Sequence, residues 1–176
     1  KHDIHSEIIS VNGSDSRANL VAEIGSGSPV LGVSGHMDVV TTGDLDSWNY
    51  EPFKLTEDDD GRLHGRGAAD MKSGTVALAL ALIEIKEAGT LKQGTIRFMA
   101  TAGEEITSAG AKDLYEKGYM DDVDALLIAE PSQDGLVYTH KGTMDIRVTS
   151  KGKSAHSSMP ELGFNAINPL ADFIHY

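Results

Sequence analysis

Histidine and carboxylate side chains in four short segments have the types and spacing of a metal site. His36 and Asp38 form an H-x-D pair in SGHMDVV, and Glu104 and Glu105 are adjacent in TAGEE. Neighbouring carboxylates repel each other unless a cation or a proton lies between them. Nitrogen and oxygen donors of this kind bind zinc and similar divalent metals. The candidate residues are His36, Asp38, Asp70, Glu104, Glu105 and Glu130.

Each candidate also has an ordinary structural explanation. A lone histidine such as His36 can be a satisfied core residue, and a Glu-Glu pair suits the first turn of a helix, where negative charge is favourable. Asp70 precedes a helix, where an aspartate is more often a cap than a ligand. Two features favour the metal site. Asp38 could accept the second ring N–H of His36, and the candidates follow successive predicted strands.

The sequence GRGAADMKSG at residues 65–74 raises a different possibility, because Lys72 and Ser73 before a helix are how a phosphate-binding loop ends. That loop requires a glycine immediately before the lysine. Met71 occupies this position, and Asp70 would repel a phosphate group. The sequence therefore favours a metal-binding turn over nucleotide binding.

Apolar runs separated by glycine and proline predict the elements that position these side chains. Strands are predicted at 20–24, 30–35, 95–100 and 124–129, and helices at 73–88 and 107–117. The turn-rich GSGSP between the first two strands indicates a hairpin-like connection. Nearly continuous apolar strands that alternate with helices predict an α/β fold whose sheet is covered on both faces. From about Lys141 the pattern changes to an alternating strand, TMDIRVTSKG, and a Ser/His/Pro segment.

Composition limits the classes of partner. The 176 residues carry a formal net charge of −12, which argues against nucleic acid because phosphate backbones require a basic face. The chain has no cysteine, which excludes a thiol nucleophile and a disulfide framework and is compatible with a reducing compartment. The apolar run at 75–83 is too short to span a bilayer. We therefore expect a cytoplasmic protein with no membrane or nucleic-acid partner.

Four motifs taken together resemble the M20 family of zinc amidohydrolases and peptidases. SGHMDVV, GRGAADMKSG, TAGEE and AEPS occur in that order within residues 34–132, and GKSAHSSMPELGFNAI resembles the start of that family's smaller lid or dimerisation domain. The resemblance implies a zinc-peptidase-like catalytic domain, with a central mixed sheet flanked by helices, at 1–140. It also implies the beginning of an α+β lid at 141–176. Both would be incomplete, so the chain is expected to be truncated.

The same resemblance implies a role for each site residue. The implied metal ligands are His36, Asp70, Glu105 and Glu130, with Asp70 shared between two zinc ions. The other implied site residues are Glu104 as general base, Asp38 as support for His36, and His156 as the group that stabilises the oxyanion. One further histidine ligand of the family lies beyond this sequence.

The resemblance implies a metal-dependent hydrolase that cleaves an amide bond of N-acyl amino acids or short peptides. Two zinc ions per full-length subunit are expected, with cobalt or manganese as alternatives, and the full-length protein is expected to be a homodimer. The alternative is a catalytically inactive fragment, or a binding and assembly module, that retains the M20 fold.

Overall fold

The structure is a computed structural model that describes residues 2–132 and 135–176. Its contacts divide the chain into two compact units, Lys1–Gly135 and Leu136–Tyr176. Assignment of these units as a catalytic domain and a lid stays a prediction. Across the described residues, none of the helices combines the length and the apolar character needed to cross a membrane.

Within residues 2–132, the first unit contains seven strands and three α-helices. The strands are β1 His5–Ser10, β2 Ala18–Ser26, β3 Val30–His36, β4 Thr56–Glu57, β5 Leu63–His64, β6 Gly94–Thr101 and β7 Ala125–Ile128. The helices are α1 Ser73–Ala88, α2 Glu104–Thr107 and α3 Ala109–Glu116. Strands β4 and β5 pair only with each other, and the remaining five form one sheet.

The five-stranded sheet is mixed and has the order β1-β2-β6-β3-β7. Strand β2 is antiparallel to β1 and β6, whereas β3 is parallel to β6 and β7. The predicted central mixed sheet is therefore confirmed. The hairpin predicted between the strands at 20–24 and 30–35 is wrong, because β6 lies between them. Seven of the eight residues of β6 are buried, and a strand buried on both faces needs neighbours along both edges.

Helices cover both faces of this sheet, as the sequence predicts. One apolar cluster contains Leu82 of α1 together with Ile24 and Phe98. The other contains Leu114 of α3 together with Met99. Adjacent residues of a strand point to opposite faces, so Phe98 and Met99 mark the two sides of β6. The α/β fold class is confirmed.

The helix predicted at 73–88 matches α1, which ends where Gly89 adopts a left-handed conformation with φ 59°. The helix predicted at 107–117 differs from the structure at its start. Ser108 has φ 53°, a conformation through which an α-helix cannot continue. The chain therefore forms the single turn α2 before Ser108 and the helix α3 after it.

The second unit is held by local contacts. Its helix α4 spans Ile167–His175, and Lys153 and Phe164 exchange backbone hydrogen bonds of 3.0 and 2.9 Å. The strand predicted from TMDIRVTSKG is wrong, because residues 143–152 form no strand in the part of this unit that the structure describes. Met144 and Ile146 are 82% and 73% exposed. An alternating apolar pattern forms a strand only where a partner strand and an apolar surface cover it.

Candidate metal centre

His36 is the last residue of β3, and its buried ring is held by a hydrogen bond. Its side chain is 2% exposed. Ring atom Nδ1 lies 3.0 Å from the backbone carbonyl oxygen of Asp38. A carbonyl oxygen can only accept a hydrogen bond, so Nδ1 carries a proton and Nε2 is the free nitrogen of the neutral ring. The ring is therefore held in the tautomer that can bind a metal through Nε2.

The Nε2 atom of His36 faces three carboxylates. Its distances are 3.1 Å to Asp70 Oδ1, 3.7 Å to Glu104 Oε2 and 3.8 Å to Glu130 Oε2. Ionised carboxylates only accept hydrogen bonds, so a neutral Nε2 would meet them lone pair to lone pair. A proton, on Nε2 or on a carboxylate, or a metal ion must balance this arrangement. The nitrogen and oxygen donors of these residues are therefore chemically suited to binding a metal ion.

Three ligand atoms lie close enough together to belong to one metal centre. One atom each from His36, Asp70 and Glu105 falls within 4.8 Å of the others. Because all three are nitrogen or oxygen donors, the set suits a divalent metal such as zinc. The six candidates of the first unit come together near the carboxyl ends of β3, β6 and β7, with Asp70 reaching this edge from the turn before α1.

Glu104 and Glu105 are positioned by Asp38. The Asp38 carboxylate accepts hydrogen bonds from the backbone N–H groups of Gly103, Glu104 and Glu105 at 2.8, 3.1 and 3.2 Å. Its Oδ1 atom is 3.8 Å from Nδ1 of His36. The expected support of His36 therefore comes from the backbone carbonyl of Asp38, whereas its carboxylate caps α2.

Burial, hydrogen bonds and nearby charges shift three pKa values at this centre. Burial lowers the pKa of His36, but its hydrogen bonds to Asp38 and Asp70 and the nearby carboxylate charges outweigh burial, so the net shift is upward. Burial and the charge of Asp70 raise the pKa of Glu130. Burial also raises the pKa of Asp38, but hydrogen bonds from three backbone N–H groups reverse this and lower it. The upward shifts of His36 and Glu130 reflect the carboxylate charges that surround the Nε2 atom of His36, whereas the downward shift of Asp38 reflects its backbone hydrogen bonds.

Asp70 lies in a wide turn, Ala68–Lys72, that leads into α1. Met71 in this turn is 1% exposed, and its sulfur accepts a hydrogen bond of 3.1 Å from the backbone N–H of His36. The hydroxyl of Thr75 lies 3.2 Å from the carbonyl oxygens of both His36 and Met71. Strand β3, the turn and α1 are thereby joined directly behind the candidate metal ligands.

Sequence reasoning did not identify Met71 or Thr75 as part of the site. Gly35, immediately before His36, carries the signal that could have revealed them. A Cβ atom at Gly35 would lie 2.3 Å from Thr75 Oγ1 and 2.9 Å from Met71 Cε. A glycine directly before a candidate ligand is thus a sign that another segment packs against that backbone.

His156 belongs to the second unit, where it is exposed. Its Nδ1 atom lies 2.9 Å from the hydroxyl oxygen of Ser158. The residues that the structure brings together around His36 all lie in Lys1–Gly135. The oxyanion role of His156 stays a prediction.

Residues 32–171 match the protein family described as Peptidase family M20/M25/M40. The chain belongs to this family. The resemblance stated from its motifs is confirmed, and the M20 match includes every residue that faces Nε2 of His36.

Two curated relatives are similar along almost the whole chain. A probable succinyl-diaminopimelate desuccinylase of Staphylococcus aureus (strain MRSA252) is 60% identical over 98% of this chain, which spans 42% of that protein. An acetylornithine deacetylase of Pasteurella multocida (strain Pm70) is 36% identical over 97% of this chain, which spans 43% of that protein. The chain thus covers less than half the length of these M20 relatives.

Human carnosine dipeptidase 1 has a similar structure. It shares 26% sequence identity and superposes with a TM-score of 0.60, over 74% of this chain and 30% of its own. This agrees with the M20 fold and with a mixed α/β architecture.

Proposed function

We propose that this chain provides the metal-binding and proton-transfer residues of an M20 hydrolase that cleaves an amide bond of N-acyl amino acids or short peptides. The observation that carries the proposal is the grouping of His36, Asp70 and Glu105, whose ligand atoms lie within 4.8 Å of one another. The relatives support the reaction class. Their names describe removal of a succinyl or an acetyl group and cleavage of a dipeptide.

The metal is proposed to be zinc, at two ions per full-length subunit, with cobalt or manganese as alternatives. A divalent metal in such a site lowers the pKa of water and polarises a carbonyl group. His36 and Glu130 would hold one ion, Glu105 the other, and Asp70 both. Residues on this chain supply three ligands for the first ion and two for the second. We therefore expect the chain to bind one zinc ion much more tightly than a second.

Glu104 is the proposed general base. Its Oε2 atom lies 3.7 Å from Nε2 of His36, and its side chain is 48% exposed, so it borders the ligands while remaining open to water and substrate. The backbone N–H of Glu104 donates a hydrogen bond to the carboxylate of Asp38, which fixes the backbone of Glu104. From this position the carboxylate would take a proton from the attacking water and deliver it to the leaving amine nitrogen. His156 of the second unit is the proposed oxyanion donor.

Zinc titration by calorimetry tests the proposal. The parent chain is expected to bind zinc, and Asp70→Ala is expected to abolish that binding because it removes the donor nearest to Nε2 of His36. Asp60→Ala, on an exposed turn, is the matched control and should bind as the parent does. Glu104→Gln should also retain zinc, because its proposed role is proton transfer. Unchanged zinc binding by Asp70→Ala would overturn the assignment of this centre.

The non-catalytic alternative makes a different prediction for the full-length protein. If Glu104 is the general base, Glu104→Gln should lower turnover by about 100-fold or more, in line with the usual contribution of such a group. Unchanged turnover would favour a binding or assembly module. A cytoplasmic location and a homodimer stay predictions.

A further inference from the structure

The loop between β3 and β4, residues 37–55, lies against the segment that leads to Asp70. The carbonyl oxygen of Pro52 in this loop accepts a hydrogen bond of 2.7 Å from the backbone N–H of Arg66. Pro52 is buried, so this bond belongs to a packed contact. The chain therefore returns from the end of β3 to a point just before the proposed metal ligand Asp70, and this contact closes the loop.

The side chains of Trp48 and Arg66 form a second contact between the same two segments. The guanidinium carbon Cζ of Arg66 lies 5.0 Å from the centroid of the Trp48 ring, within the range of a cation–π interaction. The indole N–H donates a hydrogen bond of 2.9 Å to the carbonyl oxygen of Thr42, which fixes the ring within the loop. The Nε atom of Arg66 is buried and has no hydrogen-bond partner in the described part of the chain. Burial of this atom is costly, and the face of the Trp48 ring is the contact that offsets it.

Gly67 connects this stacked pair to the metal centre. It is buried and has φ 80°. A Cβ atom at Gly67 would lie 2.4 Å from Val39 Cγ1 and 3.4 Å from the backbone carbonyl oxygen of Asp70. The carbonyl oxygen of Gly67 also accepts a hydrogen bond of 3.0 Å from the backbone N–H of Lys72, which closes the turn around Asp70. The position of Asp70 therefore depends on how the residue before Gly67 is held.

We propose that Trp48 and Arg66 act together as positioning residues that place Asp70 for the metal. Neither side chain contacts the metal or the substrate in this proposal. The stacked pair holds the β3–β4 loop on the segment before the turn, and the turn holds Asp70 Oδ1 at 3.1 Å from Nε2 of His36. This inference rests on the proposed function, in which Asp70 binds both ions. Coupling between two sites is reciprocal, so metal binding also stabilises the stacked pair.

Zinc titration of matched variants by calorimetry tests the proposal. Arg66→Met keeps a long side chain but removes the charge, and zinc affinity should fall about tenfold, within the range for residues that support metal ligands. Arg66→Lys keeps a cation over the ring and should recover most of this loss. Trp48→Leu should lose as much affinity as Arg66→Met, whereas Trp48→Phe, which keeps an aromatic face, should lose less.

Two further measurements distinguish positioning from a general loss of stability. The double variant of Trp48→Leu and Arg66→Met should lose no more zinc affinity than either single variant, because both changes remove the same contact. Trp48 is the only tryptophan of the chain, so its fluorescence reports directly on the stacked pair. Saturating zinc should reduce the quenching of this fluorescence by acrylamide in the parent chain, and the reduction should be lost in Arg66→Met.

Controls separate this inference from the proposed function. Arg62→Met removes an exposed arginine of the first unit and should behave as the parent. Each variant should keep the circular dichroism of the parent, and Arg66→Gln replaces Arg66→Met if the latter does not fold. Parent-like zinc affinity in the Arg66 variant, or additive losses in the double variant, would overturn the positioning role while the metal centre stands. If the parent chain binds no zinc, the proposed function falls and this inference falls with it.

Discussion

The two units of the chain differ most in how far their apolar side chains are buried. In Lys1–Gly135, Phe98 and Leu114 are 4% and 1% exposed, and helices pack on both faces of the sheet. In Leu136–Tyr176, Ile146 and Phe164 are 73% and 54% exposed. Burial of apolar surface is the main favourable contribution to folding. The first unit therefore has its own core, whereas the second is organised by local hydrogen bonds.

This difference bears directly on the site. A metal centre needs ligands whose backbone positions are fixed before the ion binds. His36 ends a core strand, Asp38 caps the turn that carries Glu105, and Thr75 joins that strand to the turn of Asp70. Every proposed metal ligand thus rests on the unit that has a core. We expect folding stability and metal affinity to depend on the first unit and to be insensitive to the second.

Matched leucine truncations give the largest test of this comparison. Leu114→Ala should lower the free energy of unfolding by about 2–5 kcal/mol, because it leaves a cavity beneath α3. Leu162→Ala, in the second unit, should change it by about 0.5 kcal/mol or less, because that side chain is 55% exposed. Urea unfolding followed by circular dichroism measures both. Equal losses would mean that the second unit shares the core.

The contact of Thr75 behind the proposed metal ligands gives a smaller effect. Thr75→Val keeps the shape of the side chain but removes the hydroxyl that lies 3.2 Å from the carbonyl oxygens of His36 and Met71. Zinc affinity should fall about tenfold, the lower end of what loss of an outer hydrogen bond costs a metal site.

Two further variants sharpen this measurement. Thr75→Ser restores the hydroxyl and should restore zinc affinity, which a purely structural loss would not predict. His156→Ala, in the second unit, should leave zinc affinity within about twofold of the parent, since its proposed partner is the oxyanion. A tenfold loss in His156→Ala would show that the second unit supplies a metal ligand.

Local sequence patterns predicted most helices and strands correctly, but they did not predict which strands pair. The apolar run that becomes α1 has its charges at one end and Gly89 directly after it, so both of its ends could be read from the sequence. Pairing of β2 and β3 with β6 could not, because periodicity reports which face is buried and not which strand lies alongside. The apolar alternation at Met144 and Ile146 failed for the same reason, since it specifies a face but no partner.

The candidate site shows the same division. The residue types identified His36, Asp70 and Glu105 as donors, because imidazole and adjacent carboxylates are the ligands that divalent metals use. The contacts that hold these donors are set by the backbone. The three N–H groups around the carboxylate of Asp38 depend on the backbone path from β6 into α2. Residue types alone do not predict that path.

The smallest expected effect comes from a comparison of two carboxylates, one in each unit. Asp113 is 5% exposed and accepts hydrogen bonds from Lys117 Nζ at 2.7 Å and from the backbone N–H of Asn12 at 3.1 Å. The bond to Lys117 lowers the pKa of Asp113; burial opposes this shift, and the bond from Asn12 adds to it. A lowered folded pKa means that this carboxylate stabilises the native state above its unfolded pKa of about 4. That stability is lost as the pH falls through the folded pKa.

Asp113→Asn should therefore lower the free energy of unfolding at pH 7 by about 1 kcal/mol, because Lys117 is partly exposed and the pair is screened. The difference from the parent should disappear in acid, once the parent carboxyl is protonated. Asp145→Asn, an exposed position of the second unit, should show no difference at either pH. Urea unfolding between pH 7 and pH 3 measures both variants. A pH-independent loss in Asp113→Asn would mean that its packing, and not its charge, joins α3 to the turn at Asn12.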